Sequence, residues 1–246
     1  MKTIFITGAS SGLGEGLAEH FGGPGVTLGL VARRTDKLNA LKSRLEERGA
    51  RVLTFAVDVA AAQDMSDAIN TFLQETGTID LVIANAGMRV PYQIGDGNAE
   101  GVNQLMAVNF NGVVNTVVPF VPAMKKQKAG ILCAVGSVAG FRALPFSGAY
   151  CASKAAVNVF MDSLRMDLAG TGVHAMTICP GFVATPMTAS NKRMIFLLEV
   201  SAAVRLMVSA LVSRKSTYTF PWQMRFLKEV MKRLPESLVR LMGRKR

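Results

Sequence analysis

Histidine and cysteine are scarce in this chain, which limits the metal and redox chemistry that it can support. Of its 246 residues, two are histidine and three are cysteine. His20 and His174 lie far apart, and Cys133, Cys151 and Cys179 have none of the paired spacings of zinc sites or disulfide frameworks. The sequence therefore predicts no metal site, and we expect the cysteines to be buried as small apolar side chains.

Long uninterrupted apolar segments are also lacking. The N-terminal residues lead directly into a predicted strand, with no apolar run or cleavage site of signal-peptide type, so we expect a cytoplasmic protein. Residues 194–212 are mostly apolar, but Glu199 and Arg205 interrupt them. We interpret residues 186–215 as a substrate lid or a subunit-interface helix region rather than a membrane span.

Acidic residues are rare in the C-terminal part of the chain. The net charge is +11, and residues 192–246 hold 13 basic and 3 acidic side chains. Apolar residues recur there at near-helical spacing, which predicts a basic amphipathic helix pair at 221–246, broken at Pro235. No element that reads nucleic acid is recognisable. The alternatives for this extension are packing on its own subunit or a neighbouring one, and peripheral contact with an anionic membrane.

Short apolar runs alternate with helical patterns along the chain. The runs show no polar alternation, which indicates strands buried on both faces of a parallel sheet covered by helices. We therefore predict an α/β protein, a single three-layer, doubly wound domain over residues 1–246. The predicted strands are residues 3–7, 26–31, 52–57, 80–84, 130–135 and 173–178.

A glycine-rich turn follows the first predicted strand. The residues Gly8-Ala9-Ser10-Ser11-Gly12-Leu13-Gly14 precede a helical stretch predicted at 15–21. A strand, a glycine turn and a helix N-terminus together favour binding of a pyrophosphate, because backbone amides and the helix dipole point at the anion.

Ser137, Tyr150 and Lys154 form a constellation suited to proton transfer. Tyr150 and Lys154 are four residues apart, so they share one helix face, and Ser137 precedes Tyr150 by thirteen residues. A lysine ammonium beside a phenol would lower the pKa of the phenol and make it a usable acid and base. The serine hydroxyl would fix and polarise a carbonyl oxygen.

These motifs, in this order, resemble those of the short-chain dehydrogenase/reductase family, in its compact single-domain subgroup. The chain has that family's TGxxxGxG at Thr7 to Gly14, its NAG at 85–87, its catalytic serine and YxxxK, and a PG turn at 180–181. The resemblance covers nearly the whole chain. It implies a Rossmann fold with strand order 3-2-1-4-5-6-7, and residues 216–220 are our candidate for the seventh strand.

The resemblance also assigns roles within the site. Asn109 corresponds to a fourth catalytic residue that holds a water for proton relay, with Asn111 as the competing choice. Ser137, Tyr150 and Lys154 take the other catalytic roles, and Lys154 also holds the nicotinamide ribose. The implied cofactor contacts are Gly8, Ser10, Ser11, Gly12, Leu13, Gly14, Asp58, Val59, Asn85, Ala86, Gly87, Tyr150, Lys154, Pro180, Gly181, Val183 and Thr185.

Residues after the second predicted strand point to the form of the cofactor. Ala32 stands where an NAD-using enzyme would present an acid, and Arg33 and Arg34 follow it. Guanidinium groups can pair with a 2′-phosphate, so we predict NADP, with NADPH preferred over NADH. The alternative is that both arginines only begin a solvated helix and that Asp36 reaches a ribose.

The sequence thus predicts an NADP-dependent oxidoreductase acting on a carbonyl or secondary alcohol, in a homodimer or homotetramer. The alternatives are a non-catalytic NADP-binding redox sensor and a sugar-nucleotide epimerase, which would normally need a longer chain. A lipophilic ketone or 3-oxoacyl compound is the expected substrate, because the loops expected to roof the pocket are apolar. Their main side chains are Met88, Tyr92, Phe141, Leu144, Phe146, Met187 and Met194.

Overall fold

A seven-stranded parallel sheet is the centre of this computed structural model, which describes residues 1–89, 94–189 and 194–241. Tyr92 and the last five residues of the C-terminal extension lie outside the described residues. The strand order is β3-β2-β1-β4-β5-β6-β7, so the predicted order is confirmed. The strands are β1 Thr3–Thr7, β2 Thr27–Val31, β3 Arg51–Phe55, β4 Leu81–Ala84, β5 Gly130–Val135, β6 Val173–Pro180 and β7 Thr217–Phe220.

The strands form where the apolar runs predict them, because both faces of the sheet are covered. Every residue of β1, β4 and β5 is buried. The connection from β3 to β4 crosses back over the sheet, so the direction in which strands are added reverses between β1 and β4, and β1 pairs with both β2 and β4. Ligands in open α/β sheets bind at the carboxyl ends of strands near such a reversal, so the fold itself indicates the position of the site.

Helices cover both faces of the sheet and complete the predicted three layers. One face carries α1, α2 and α8, and the other carries α3, α5 and α7. The helix α1 begins at Gly12, three residues earlier than predicted. The helices are α1 Gly12–Phe21, α2 Thr35–Glu47, α3 Ala62–Thr76, α4 Ala99–Met106, α5 Gly112–Val117, α6 Val121–Gln127, α7 Gly148–Asp167, α8 Val200–Val212, α9 Trp222–Arg233 and α10 Glu236–Leu241.

The apolar segment 194–212 is helical only in its second part. Leu198 forms a β-bridge with Val183, and its amide donates to the Phe182 carbonyl at 3.0 Å. These bonds hold Leu198 beside the loop after β6, and α8 begins at Val200. The 13 residues of α8 are fewer than the ~20 that a membrane span requires. The helix instead packs on the sheet beside α1.

Another helical stretch, Ala99–Gln127, is long and apolar enough to cross a membrane by length and composition alone. Its buried side chains, among them Val113, Val117 and Phe120, belong to the core on one face of the sheet. A core helix of this kind meets the same criteria, so this stretch is weak evidence for membrane insertion.

The C-terminal extension forms the expected helix pair, with the break at Pro235 between α9 and α10. Met224, Met231 and Val239 are buried. The guanidinium of Arg142 donates to the Leu234 carbonyl at 2.9 Å. Part of the extension therefore packs on its own chain.

Candidate active site

The glycine turn after β1 requires glycine for two different reasons. Gly8 and Gly12 have φ values of +67° and +60°, a region that favours glycine. Gly14 has ordinary helical geometry, but a Cβ atom there would lie 2.3 Å from the carbonyl oxygen of Gly8. The turn is therefore compact, and α1 begins directly behind it with its amide groups directed toward the carboxyl edge of the sheet.

Asn85 and Ala86 connect the end of β4 to this turn. The backbone amides of Asn85 and Ala86 donate to the Thr7 hydroxyl at 3.1 and 3.2 Å, and the Asn85 side-chain amide donates to the Thr7 carbonyl at 3.0 Å. Two neighbouring strand ends are thereby held together. The contacts give Asn85 a structural role next to the cofactor role that the resemblance implies.

The two arginines after β2 reach different partners. The Nη2 atom of Arg34 donates to the hydroxyl groups of Ser10 and Ser11, both at 2.8 Å. Arg33 is mostly exposed and lies 3.4 Å from Asp58. Both guanidinium groups thus border the glycine turn, with Arg34 directly over it. Asp36 is exposed and does not line the cavity described below.

Lys154 is buried within α7, one turn after Tyr150. Only 4% of the residue is exposed, and its ammonium donates to the Val135 carbonyl at 2.8 Å. Burial lowers the pKa of Lys154 to about 8, because charging a group away from water is unfavourable.

The pKa of Tyr150 differs from the expectation drawn from the sequence. Burial raises it above the ordinary value, and the hydrogen bond with the Ser137 hydroxyl and the positive charge of Arg89 offset this only in part. The prediction that Lys154 lowers the pKa of the phenol is therefore wrong for this structure. The groups that act to lower this pKa are the Ser137 hydroxyl and Arg89 rather than Lys154.

Ser137 and Asn109 lie on either side of this pair. Ser137 follows β5, and its hydroxyl also accepts a hydrogen bond from the Ala139 amide at 3.1 Å. Asn109 is fully buried in a π-helical segment, Ala107–Asn111, that joins α4 to α5. Such segments often occur at functional sites. The competing residue, Asn111, is exposed.

Both the oxygen and the nitrogen of the Asn109 side-chain amide form hydrogen bonds. Its oxygen accepts from the Met88 amide at 2.7 Å, and its nitrogen donates to the Met88 carbonyl at 3.0 Å and the Ser153 hydroxyl at 3.1 Å. Ser153 in turn donates to the Tyr150 carbonyl at 2.9 Å. Asn109 therefore joins the segment after β4 to the helix that carries the tyrosine and lysine.

A cavity of about 410 Å³ brings the glycine turn, the arginines and the catalytic group together. Gly14 and Asn109 lie behind its lining, whereas the other predicted site residues border it. Those lining residues are Gly8, Ser10, Ser11, Gly12, Leu13, Arg33, Arg34, Asp58, Val59, Asn85, Ala86, Gly87, Ser137, Tyr150, Lys154, Pro180, Gly181, Val183 and Thr185.

The predicted roof of the pocket needs correction. Met88 and Met187 line the cavity, but Phe141, Leu144, Phe146 and Met194 do not. Phe141 lies instead under α9, with the Lys228 and Lys232 ammonium groups 4.5 and 4.7 Å from its ring centroid. The prediction therefore assigns the apolar loop around Phe141 to the pocket lining, whereas the C-terminal extension covers this loop in the structure.

Several lining residues had no assigned role in the sequence analysis. Thr188 accepts from the Thr185 amide at 3.1 Å and donates to the Val183 carbonyl at 2.6 Å, so it shapes the loop after β6. Its position three residues after Thr185 is a spacing at which hydroxyl groups commonly cap turns. Val57 and Val108 also line the cavity, and as apolar residues they gave no signal that separates them from core positions.

The arrangement defines a class of protein: a Rossmann-type oxidoreductase with a dinucleotide cleft next to a Ser-Tyr-Lys proton-transfer group. In the described part of the chain, no three metal-ligating side chains cluster. The model of the short chain dehydrogenase family matches residues 2–195. The chain belongs to this family and is an NAD(P)-dependent dehydrogenase or reductase.

Similar proteins cover nearly the whole chain. An uncharacterized oxidoreductase of Myxococcus xanthus is 39% identical over 245 residues, covering 96% of this chain and 94% of the relative. A short-chain dehydrogenase of Sphingobium yanoikuyae in complex with NADPH has a TM-score of 0.84 and 27% identity, covering 100% of this chain and 97% of that one. A Burkholderia phymatum relative in complex with NAD has a TM-score of 0.85 and 25% identity, covering 98% and 95%.

Proposed function

We propose that this protein reduces a lipophilic carbonyl compound with NADPH as the hydride donor. The observation that carries the proposal is that Ser137, Tyr150 and Lys154 border the same cavity as the glycine turn and the two arginines. A cavity of this composition can hold a dinucleotide at one end and present a protonated phenol at the other.

The side chains around the glycine turn favour NADP over NAD. Ala32 supplies no carboxylate for ribose hydroxyls, and Arg34 together with the Ser10 and Ser11 hydroxyls forms a donor cluster beside the turn. Arg33 adds a second, exposed guanidinium. Relatives of similar identity are named in complex with NADPH in one case and NAD in the other, so the support for NADP comes from these side chains.

The cofactor supplies the hydride when it is bound, and residues of the chain control the proton. The raised pKa of Tyr150 keeps the phenol protonated near neutral pH, which suits donation of its proton to a carbonyl oxygen. Ser137 orients and polarises that oxygen through its hydroxyl. Lys154 holds the nicotinamide ribose. These residues therefore favour reduction of a carbonyl compound over oxidation of an alcohol.

Asn109 is a positioning residue in this proposal. Its bonds to Met88 and Ser153 hold the segment after β4 against α7, which fixes Tyr150 and Lys154 relative to the cavity. The relay water that the family resemblance implies stays a prediction.

The substrate end of the cavity is bordered by apolar side chains, among them Met88, Val183 and Met187. They favour a lipophilic ketone or 3-oxoacyl compound. We further propose a cytoplasmic homodimer or homotetramer, with residues 186–215 as a substrate lid or subunit-interface helix region.

The test is turnover by the wild-type protein and Tyr150→Phe with NADPH and a panel of ketones, 3-oxoacyl thioesters, steroids and sugars. We expect Tyr150→Phe to bind NADPH with nearly unchanged affinity, because the phenol oxygen is the only group lost, and to lose at least about a hundred-fold in kcat. Absorbance of NADPH gives the rate, and cofactor fluorescence gives the affinity. Near wild-type turnover by the variant would refute the mechanism, and binding without turnover of any compound would favour a redox sensor.

A further inference from the structure

The helix α9 presents two different faces. Its inner face packs on the active-site region: the Met224 side chain fills the space beside Gly181, where an added Cβ atom would lie 2.7 Å from Met224 Cγ. Lys228 and Lys232 lie over Phe141, in the 3-10 turn Val138–Phe141 that directly follows Ser137. The helix is therefore held in a fixed orientation.

The outer face of α9 is apolar and exposed. Trp222, Phe226 and Val230 follow one another at four-residue intervals, so they share one side of the helix. They are 74%, 68% and 37% exposed. A large aromatic pair left in water on a helix that already buries its other face indicates contact with something outside the described chain.

The charges around this stripe are positive. Arg225 and Arg233 are exposed and stand three residues from Trp222 and Val230, so they flank the same face. The acid among them, Glu229, lies 3.1 Å from Lys228 and 3.8 Å from Lys232, so its charge is compensated. Aromatic residues between arginines are typical of helices that lie in the surface of an anionic membrane.

We propose that the outer face of α9 docks on an anionic lipid bilayer, with Trp222 and Phe226 inserted at the level of the headgroups. A second copy of this chain fits the face less well, because a symmetric contact would bring the arginines of both copies together.

Docking through α9 would also orient the cavity. Gly181 lines the cavity and contacts Met224 on the inner face of α9. The exposed side chains of Ile195, Phe196 and Leu197 precede the bridge between Leu198 and Val183, another lining residue. Gly181, directly after the end of β6, therefore brings one edge of the cavity close to the inner face of the docking helix. If the proposed function is correct, a lipophilic substrate would reach the site from the bilayer.

The experiment is flotation of the full chain with phosphatidylcholine vesicles, with and without phosphatidylglycerol. It needs neither cofactor nor substrate, so its result is independent of the proposed activity. We expect binding only to the anionic vesicles, weakening as salt is added. The variants Arg225→Gln and Arg233→Gln each remove one positive charge. Each should reduce the coefficient for partitioning of the protein onto anionic vesicles about five-fold.

The double variant Trp222→Ser/Phe226→Ser should reduce that coefficient at least ten-fold, since it removes the inserted side chains. The matched control is Val159→Ser/Met166→Ser, which changes two residues of α7 that are 70% and 75% exposed. The control should bind like the wild type. Far-UV circular dichroism checks that all variants keep their helices.

Three outcomes would overturn the inference. The wild type could fail to bind anionic vesicles, it could bind neutral vesicles equally well, or the Trp222→Ser/Phe226→Ser variant could bind as tightly as the control. Light scattering without vesicles gives a fourth such outcome: a drop in particle mass in the Trp222→Ser/Phe226→Ser variant alone would assign the face to a second copy of the chain.

Discussion

At the scale of single residues, the arginines beside the glycine turn are the side chains on which the proposed preference for NADP depends. Arg34 donates to the Ser10 and Ser11 hydroxyls and Arg33 lies beside Asp58, so both are placed for a phosphate near the turn. We expect Arg33→Ala and Arg34→Ala each to raise the KM for NADPH about ten-fold or more, because each removes a charge-assisted hydrogen bond. The KM for NADH should change little.

Steady-state kinetics with both cofactors checks this prediction. Lys37→Ala is a suitable control, since it removes an exposed positive charge from α2 that does not line the cavity. Equal changes in KM for NADPH and NADH would contradict the NADP assignment.

Lys154 should make the stability of the protein depend on pH. Its pKa falls from 10.5 to about 8 on folding, so between these values the unfolded chain keeps a proton that the folded chain has released. The free energy of unfolding therefore rises with pH across this window. Relative to Lys154→Met, the wild type should gain about 1 kcal/mol per pH unit there.

Urea denaturation of both proteins at several pH values between about 7 and 9.5 measures this difference. The groups with raised pKa values, Tyr150, Cys133 and Cys179, act in the opposite direction at high pH. Tyr150 and Cys133 are present in both proteins, so their contributions cancel in the comparison. Cys179 interacts with the charge of Lys154, but its pKa of about 12 lies above this pH window. A difference that stays constant with pH would contradict the shift assigned to Lys154.

The sequence could predict which residues meet at the site but not how they titrate. Spacing brought Ser137, Tyr150 and Lys154 together correctly, because helix periodicity and strand ends are local properties. The pKa of Tyr150 depends on how deeply the phenol is buried and on Arg89, which approaches from a different loop. No pattern within α7 contains that information.

At the scale of elements, the first turn of α1 packs directly against the backbone of the glycine turn. Gly→Ala inside a helix normally stabilises it by about 0.5–1 kcal/mol. At Gly14, however, the new methyl would lie 2.3 Å from the Gly8 carbonyl oxygen, and backbone cannot move aside as a flexible side chain can. We expect Gly14→Ala to destabilise the fold by about 1–3 kcal/mol and to weaken cofactor binding.

Thermal unfolding and cofactor titration measure the two effects. Gly23→Ala serves as the control, because a Cβ atom there meets nothing within 4 Å. A Gly14→Ala protein as stable as the control would mean that the turn adapts easily and that the glycine is not required for packing.

The sequence predicted the ends of helices and strands correctly only where no contact with a distant segment competed with the local pattern. Strands β1 and β5 have the predicted ends, since their apolar runs are bounded by Lys2 and Gly8 in one case and by Lys128 and Gly136 in the other. Residues 194–199 belong to the same apolar segment as α8, yet they are not helical, and Leu198 pairs with Val183 instead. Composition alone did not indicate this contact between residues fifteen positions apart.

At the scale of the whole molecule, the C-terminal extension contributes to the fold as well as carrying an exposed face. The sequence predicted an amphipathic helix pair but left open what its apolar side contacts. One side of the extension contacts the chain itself: α9 packs on Gly181 and Phe141, next to the loop that carries Ser137. The charge pattern alone could not separate that inner face from the outer one, because basic residues occur on both: Lys228 and Lys232 lie over Phe141, whereas Arg225 and Arg233 flank the exposed face.

Met224 and Phe226 are two residues apart on α9, and they lie on its inner and outer faces, respectively. Met224 is 4% exposed and packs beside Gly181, whereas Phe226 is 68% exposed. Met224→Ala should lower the free energy of unfolding by about 2–5 kcal/mol, since it leaves a cavity between the extension and the end of β6. Phe226→Ala should change it by less than about 0.5 kcal/mol. Chemical denaturation measures both, and equal losses would mean that the two faces are not distinct.

Because the cavity lining includes Gly181, Met224→Ala should also raise the KM of the substrate, an effect that Phe226→Ala should not have in the absence of lipid.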